Sequence, residues 1–145
     1  MDGRIQLPIF HWLQDNLGIN YVDTITEPGI DKLFFNSLKV YELKFKVLIS
    51  VNMHKSNVVL VSAHHDCAGN PVSKSEHVNQ IKKAVSVIKS WNLPVTVIGV
   101  WDVCTGSTKY RILVHFHIFC NFHQAFLHSL TSLSSSQVFR NSRID

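Results

Sequence analysis

The sequence has little charge and no clustered positive face. Charged residues make up 17% of its 145 residues, and 14 Lys and Arg stand against 10 Asp and Glu. The longest basic run is Lys82-Lys83. A nucleic-acid-binding surface needs basic residues gathered on one face, so we predict no nucleic-acid partner. Glycine strings that cradle phosphates and serines in a nucleophile-elbow setting are also absent, which argues against nucleotide-binding folds and α/β-hydrolases.

Cysteine is scarce and odd in number. The three cysteines, Cys67, Cys104 and Cys120, cannot form a closed disulfide framework. The first residues lack the charged-then-apolar layout of a secretory signal peptide. We therefore predict a reduced, cytoplasmic compartment.

Apolar residues make up 46% of the chain, enough to bury a core of one domain. The spacing of apolar residues predicts a helix over Ile5–Leu17, with Pro8 in its first turn. A β-branched run predicts a strand over Tyr21–Ile25. One broken helix or two consecutive helices are expected from Asp31, as the N-cap, to about Met53.

The next part of the chain predicts a βαβ unit. Two continuous apolar runs, Asn57–Ala63 and Val95–Trp101, are typical of strands covered on both faces. Between them, Ser73 and Glu76 fit a capping box that opens an amphipathic helix. The sequence thus predicts an α/β fold: a small three-layer unit with a mostly parallel sheet flanked by helices. Ligands of such sheets gather at the carboxyl ends of the strands.

The composition changes after Trp101. Residues 102–145 contain two acidic residues, five of the nine Phe and four of the nine His. We therefore divide the chain into an α/β domain (residues 1–101) and a divergent His/Phe/Ser-rich segment (residues 102–145) that need not belong to the same fold. The run Ile112–Leu130 approaches the length of a membrane span, but its histidines and asparagine argue against membrane insertion.

The chemistry-bearing residues follow the first apolar strand. His64 and Cys67 are three apart and supply the imidazole nitrogen and thiolate that zinc favours. On spacing alone the pair is weak, and a capped turn built on Asp66 with Cys67 buried remains the alternative. His65 is either a proton shuttle or a solvated loop residue. A second cluster is conceivable from four residues of the C-terminal segment, although packed histidines are the simpler interpretation: His115, His117, Cys120 and His123.

Several of these segments together resemble one family. Met1-Asp2-Gly3-Arg4, the run Asn57–Ala63, the loop His64–Gly69 and the string Val97–Trp101 resemble β-class carbonic anhydrases, most closely their small, minimal prokaryotic members. That family has Cys-x-Asp-x-Arg after its first strand and His-x-x-Cys after a later one. The resemblance spans about residues 1–101.

The resemblance implies a zinc enzyme for the reversible hydration of CO₂ to bicarbonate by a zinc-bound hydroxide. His64 and Cys67 match the second motif and are implied as zinc ligands. Asp2 and Arg4 match the end of the first motif. Arg4 would orient Asp2, which would accept a hydrogen bond from zinc-bound water or bind zinc itself. Apolar residues of the helix after Pro8 would form a dry CO₂ pocket.

Two departures from the family pattern modify this expectation. The first motif's Cys would stand immediately before Met1, and the central strand that carries it is not in the sequence; the chain reads as one begun at an internal Met. The other departure is the segment after Trp101, for which a frameshift, intron read-through or fusion is our hypothesis. We therefore expect a fragile, self-associating homo-oligomer, and the rival interpretation is a non-catalytic metal-binding or structural remnant.

Overall fold

The computed structural model describes residues 2–103 and 111–118, with side chains described as far as residue 101. In chain order the elements are helices α1 (Gly3–Leu17), α2 (Ile30–Leu33) and α3 (Ser37–Met53), strand β1 (Val58–His64), helix α4 (Lys74–Lys89), and strands β2 (Thr96–Val103) and β3 (Arg111–Ile118). The predicted α/β class is confirmed.

Helix α1 starts earlier than its apolar pattern predicts. Asp2 caps it by accepting a hydrogen bond from the Arg4 amide, and Gly18 ends it in the left-handed region with φ 66°. Pro8 consequently lies inside the helix and not in its first turn, so the Arg4 carbonyl has no amide four residues on to pair with. The cap explains the early start, because Asp satisfies amides that would otherwise be unpaired.

The two consecutive helices expected between Asp31 and Met53 are confirmed as α2 and α3, but Asp31 is not an N-cap. Gly29 precedes α2 with φ 60° and offers no side-chain cap, whereas the Asn36 side chain caps α3. Asp31 is only 1% exposed. Its carboxylate points into the molecule, where it serves a different purpose, described below.

The predicted βαβ unit is confirmed. Strands β1 and β2 pair in parallel, with Val58 opposite Thr96 and His64 opposite Asp102. Helix α4 connects them and packs on both. Ser73 caps α4 by accepting from the Glu76 amide, as expected. The other half of the capping box does not form, because the Glu76 carboxylate accepts from Gln80 instead.

The strand predicted over Tyr21–Ile25 is wrong: this segment is irregular, and Tyr21 is 93% exposed. A β-branched run forms a strand only beside a partner, and the described part of the chain places none next to it. The sheet order is β1-β2-β3, with β3 antiparallel to β2. Because β3 lies beyond β2, the outer edge of β1 is free of strand neighbours among the described residues.

The core lies between one face of the sheet and the helices. Apolar side chains of β1 and β2 meet those of α3 and α4 in one cluster, whose most buried members are Ile81, Ala84, Val85, Ile88 and Val97. Beside the free edge of β1 runs an open groove of about 780 Å³, which we call the β1-edge groove. Its walls come from α1, residues 19–25, α3 and β1. No helix among the described residues is long and apolar enough to cross a membrane.

Candidate functional site

The loop after β1 forms a cleft at the carboxyl end of the strand, as the parallel-sheet rule predicts. The cleft, of about 340 Å³, is lined by Asp2, His64 and Cys67 together with residues of the turn before α2. We call it the β1-end cleft. Three of the four sequence-predicted site residues therefore line one cavity, and the fourth, Arg4, is bonded to Asp2.

Asp2 and Arg4 form the most tightly bonded pair of the cleft. Arg4 Nε lies 3.0 Å from both Asp2 carboxylate oxygens, and Arg4 Nη2 lies 2.5 Å from Oδ2. These hydrogen bonds, together with the one from the Arg4 amide, hold the pKa of the Asp2 carboxyl well below its usual range. Asp2 therefore stays ionised, and because both of its oxygens accept from Arg4, its orientation is fixed.

His64 is held in an orientation suited to binding a metal. Its side chain is 9% exposed, and its Nδ1 lies 2.8 Å from the His65 carbonyl oxygen. A backbone carbonyl can only accept, so Nδ1 is the donor of this bond and Nε2 is the nitrogen left to face a metal. Imidazole ligands of metals commonly donate their other N–H to such an acceptor. The same Nδ1 lies 3.9 Å from Asp2 Oδ2.

Cys67 is a half-buried free thiol three residues further on. The loop reaches it through Asp66, which adopts φ 57°. The Asp66 side chain is 78% exposed and lies 3.8 Å from Arg4 Nη1. The capped-turn alternative expected the Asp66 side chain to bond backbone amides and Cys67 to be buried. Asp66 lies in a turn, but its side chain is turned to solvent beside Arg4, and Cys67 is only half-buried.

The donors present fit zinc in kind but fall short in number. Imidazole nitrogen and thiolate sulfur are zinc ligands, and structural or catalytic zinc sites use three or four protein ligands. Among the described side chains, which extend to residue 101, no three His, Cys, Asp or Glu form a group that could hold a metal. Asp2, the third candidate, is engaged by Arg4 instead. The structure thus assembles two donors and a carboxylate beside them.

Of three comparisons with known proteins, one gave a match. A sequence model of the family described as "Putative carbonic anhydrase" matches residues 1–109. The chain belongs to this carbonic-anhydrase-like family. Searches of curated proteins and of solved structures gave no match. The predicted resemblance to carbonic anhydrases is therefore confirmed, and the match extends past Trp101 to residue 109.

Other expectations have a different outcome. Residues of α1 after Pro8, such as Ile9 and Leu13, line the β1-edge groove and not the β1-end cleft, where Ile5 is the apolar side chain that α1 contributes. The conceivable second cluster involves side chains outside those that the structure describes: His115, His117, Cys120 and His123.

The sequence analysis missed a buried polar network that borders the cleft. It consists of Asp31, Asn70, His77 and Gln80, which are between 1% and 7% exposed. A signal was present on α4: His77 and Gln80 share a face with Ile81, Ala84 and Ile88, so the helical period places two polar side chains on the buried stripe. A buried polar side chain needs partners, and the structure shows these to be Asp31 for His77 and Asn70 for Gln80.

Proposed function

We propose that this chain is a carbonic-anhydrase-like zinc protein that catalyses the reversible hydration of CO₂ to bicarbonate. The observation that carries the proposal is the β1-end cleft, in which Asp2, His64 and Cys67 line one cavity of a chain that belongs to a carbonic-anhydrase-like family. Apolar side chains, among them Ile5 and Ile25, line the same cavity. Apolar surface binds water weakly, so CO₂ can displace water from this part of the cleft.

His64 and Cys67 are the residues that would hold the metal in this proposal, through Nε2 and the thiolate sulfur. When bound, zinc supplies Lewis acidity that lowers the pKa of a bound water from 15.7 to about 7. Asp2 is the candidate third ligand. Taking that role would require its carboxylate to give up part of its bonding to Arg4.

In the alternative arrangement Asp2 keeps its bonds to Arg4 and acts on the reactants. Its ionised carboxylate accepts a hydrogen bond from the nucleophilic water and turns the oxygen lone pair toward CO₂. Arg4 keeps the carboxylate ionised and fixed, so that the water meets an acceptor already in place. The His64 Nδ1–H stays bonded to the His65 carbonyl oxygen, so Nε2 is the nitrogen that would face the metal.

Zinc content tests the proposal directly. The chain is purified without a metal-affinity tag, and zinc is measured per chain in the wild type and in Cys67→Ser, with Cys104→Ser as the matched control. The proposal expects about one zinc per chain in the wild type and in the control, and loss in Cys67→Ser. CO₂ hydration, measured by stopped flow, should follow zinc content. Wild-type protein without zinc would refute the proposal.

A second candidate, a non-catalytic protein that self-associates, is favoured by one surface. Five large apolar side chains lie along α3 at helical spacing and are exposed, a set that we call the α3 face: Leu38 75%, Tyr41 74%, Phe45 62%, Ile49 44% and Met53 72%. Contiguous apolar patches of this kind mark interaction sites.

A homo-oligomer is compatible with both candidates, so association alone does not separate them. Zinc content does, because the second candidate needs neither zinc nor CO₂ hydration. The cytoplasmic location and the division of the chain at residue 101 stay predictions from the sequence.

A further inference from the structure

Beneath the β1-end cleft lies the buried polar network of Asp31, Asn70, His77 and Gln80. Asp31 and His77 are each 1% exposed, Asn70 is 4% exposed and Gln80 is 7% exposed. The four side chains come from α2, from the loop after β1 and from α4. The network therefore joins two helices to the loop that carries Cys67.

Asn70 and His77 each bond one oxygen of Asp31, and Gln80 bonds Asn70 and Glu76. Asn70 Nδ2 donates to Asp31 Oδ1 at 3.1 Å and to Gln80 Oε1 at 2.6 Å. His77 donates from Nδ1 to the other Asp31 oxygen. Gln80 Nε2 donates to Glu76 Oε1 at 3.1 Å. The Asp31 carboxylate thus has a separate donor on each oxygen, which is what a buried charge needs.

The network connects to Cys67 through the backbone. Asn70 donates its amide to the Cys67 carbonyl oxygen at 3.0 Å, so the residue that Asp31 holds also closes the turn that contains Cys67. The neighbouring Gly69 carbonyl accepts from Lys32 Nζ of α2 at 2.5 Å. Asp31 itself lines the β1-end cleft beside Cys67.

The orientation of the His77 ring is set by its contacts in the network. The ring packs against Trp101 with centroids 4.9 Å apart, and its Nε2 is buried without a hydrogen-bond partner among the residues described. Rotating the ring to satisfy Nε2 would remove the donor from Asp31. Among the described residues the bond to Asp31 is the hydrogen bond that this ring makes, so we take the Asp31 contact to determine the orientation of the ring.

We propose that Asp31 is a positioning residue for Cys67: through Asn70 it fixes the turn that points the thiol into the β1-end cleft, and His77 orients the Asp31 carboxylate. The inference rests on the proposed function for the metal. It goes beyond it by assigning a role to residues outside the ligand set and outside the Asp2–Arg4 pair.

An exchange of the two partners tests the proposal. Asp31→Asn removes an acceptor that Asn70 needs, and Asn70→Asp places two carboxylates together. The double variant Asp31→Asn/Asn70→Asp restores the contact between positions 31 and 70, because the amide at 31 accepts from His77 through its oxygen and donates to the carboxylate at 70. Gln80 then turns its amide to donate to that carboxylate and gives up its bond to Glu76, which is exposed. Val51→Ala, a core change in α3, is the control for lost stability.

Cobalt titration of the full-length protein provides the first readout. Each single variant should weaken cobalt binding about 10- to 100-fold, as loss of a residue that supports a ligand does, and should weaken the thiolate-to-cobalt absorption band. The double variant should recover wild-type affinity to within about threefold. Val51→Ala should bind cobalt as the wild type does. Single variants that bind normally, or a double variant weaker than both, would overturn the proposal.

Alkylation of Cys67 in metal-free protein keeps this test separate from that of the proposed function. Peptide mass spectrometry follows the reaction of iodoacetamide with Cys67 alone. The single variants should react several-fold faster than the wild type and Val51→Ala, and the double variant should return to the wild-type rate. A wild type that binds no cobalt would refute the metal site, whereas equal alkylation rates in all variants would refute the positioning role.

If either single variant fails to fold, Gln80→Met carries the alkylation test. It removes one of the two acceptors of Asn70 and leaves Asp31 and His77 in place. Faster alkylation of Cys67 in Gln80→Met than in Val51→Ala supports the proposal, and equal rates overturn it.

Discussion

The two sides of β1 differ in how they are held together. At its carboxyl end, the β1-end cleft is fixed by a buried carboxylate with a donor on each oxygen and by a two-pronged Arg4–Asp2 pair. Along its outer edge, the β1-edge groove is apolar and open, and the segment 21–25 beside it has no regular structure. The local geometry is therefore fixed by hydrogen bonds at the cleft that holds the candidate site residues. It is less tightly fixed along the outer edge of β1, which has no strand neighbour among the described residues.

The difference between the β1-end cleft and the β1-edge groove shows which interactions fix the local structure on each side of β1. Apolar side chains are plentiful on both sides, so hydrophobic burial alone does not distinguish them. Hydrogen bonds in a dry environment do, because a buried polar group without its partner costs about 1–3 kcal/mol and so restricts the geometries allowed.

The largest loss of stability is expected from adding a side chain at Gly29, which lies directly against Gly69 at the cleft. A Cβ on Gly29 would lie 2.7 Å from the Gly69 carbonyl oxygen, and its φ of +60° disfavours any side chain. Gly29→Ala should therefore destabilise the protein by about 3 kcal/mol, combining backbone strain with overpacking. Gly18→Ala is the control, since Gly18 has φ +66° with open space around it. Urea denaturation should show a loss of only about 1 kcal/mol for Gly18→Ala. Equal losses of stability in Gly29→Ala and Gly18→Ala would mean that the backbone at Gly69 shifts to accommodate the Cβ at little cost.

The second prediction concerns the open side. The α3 face, with Phe45 near its centre, should mediate self-association, because its exposed apolar side chains recur at helical spacing. Phe45→Glu should weaken association about tenfold or more, as loss of a central aromatic contact does. Sedimentation velocity over a concentration series measures this.

The control for this experiment is Lys83→Glu, on the exposed face of α4, which changes charge without touching the α3 face. It should associate as the wild type does. A wild type that sediments as a monomer and melts sharply would contradict both this prediction and the expected fragility of the chain.

The third prediction separates two roles of Asp2. Its side chain caps α1 and also faces the cleft. Asp2→Ala should lose about 1 kcal/mol of stability, whereas Asp2→Asn keeps a capping oxygen and should lose less. Both variants should lose CO₂ hydration activity if the carboxylate acts in the cleft. Thermal melts and stopped-flow assays on the same samples distinguish the roles; Asp2→Asn with full activity would leave Asp2 a cap only.

The elements that the sequence predicts well are those with local signals. Helix α4 has a capping residue and a continuous apolar stripe, and β1 and β2 are short apolar runs on either side of it, so their type and pairing follow from nearby residues. The segment Tyr21–Ile25 has an equally good strand composition. It is irregular because a strand also requires a neighbour, and no local pattern reports whether one is there.

The candidate site divides in the same way. The position of His64 and Cys67 in one cleft follows from the rule that ligands gather where parallel strands end. The roles of Asp2 and Arg4, in contrast, are predicted only by the family resemblance. Asp31 shows the limit of local patterns. An Asp just after a turn is equally compatible with a helix cap and with a buried carboxylate, and its partner His77 is 46 residues away.

The smallest effect is expected for an exposed ion pair on the open side. Glu27 Oε1 lies 2.6 Å from Lys46 Nζ, and this contact ties the turn before α2 to α3 beside the β1-edge groove. The hydrogen bond from Lys46 lowers the pKa of Glu27 from its ordinary 4.5, so the folded state binds this proton less readily than the unfolded state does. The stabilisation is therefore complete above the ordinary pKa and is lost as the pH falls through the lower, folded-state value.

Thermal melts of the wild type and Glu27→Gln across acidic pH test this linkage. The difference in Tm should be small and constant near neutral pH and should close as the pH falls below 4.5. High salt should reduce it at every pH, because both side chains face solvent. In Lys46→Gln the effect of Glu27→Gln should vanish. A difference that persists in acid or in high salt would mean that this side of β1 is held by something stronger than a screened surface pair, and the contrast with the cleft would narrow accordingly.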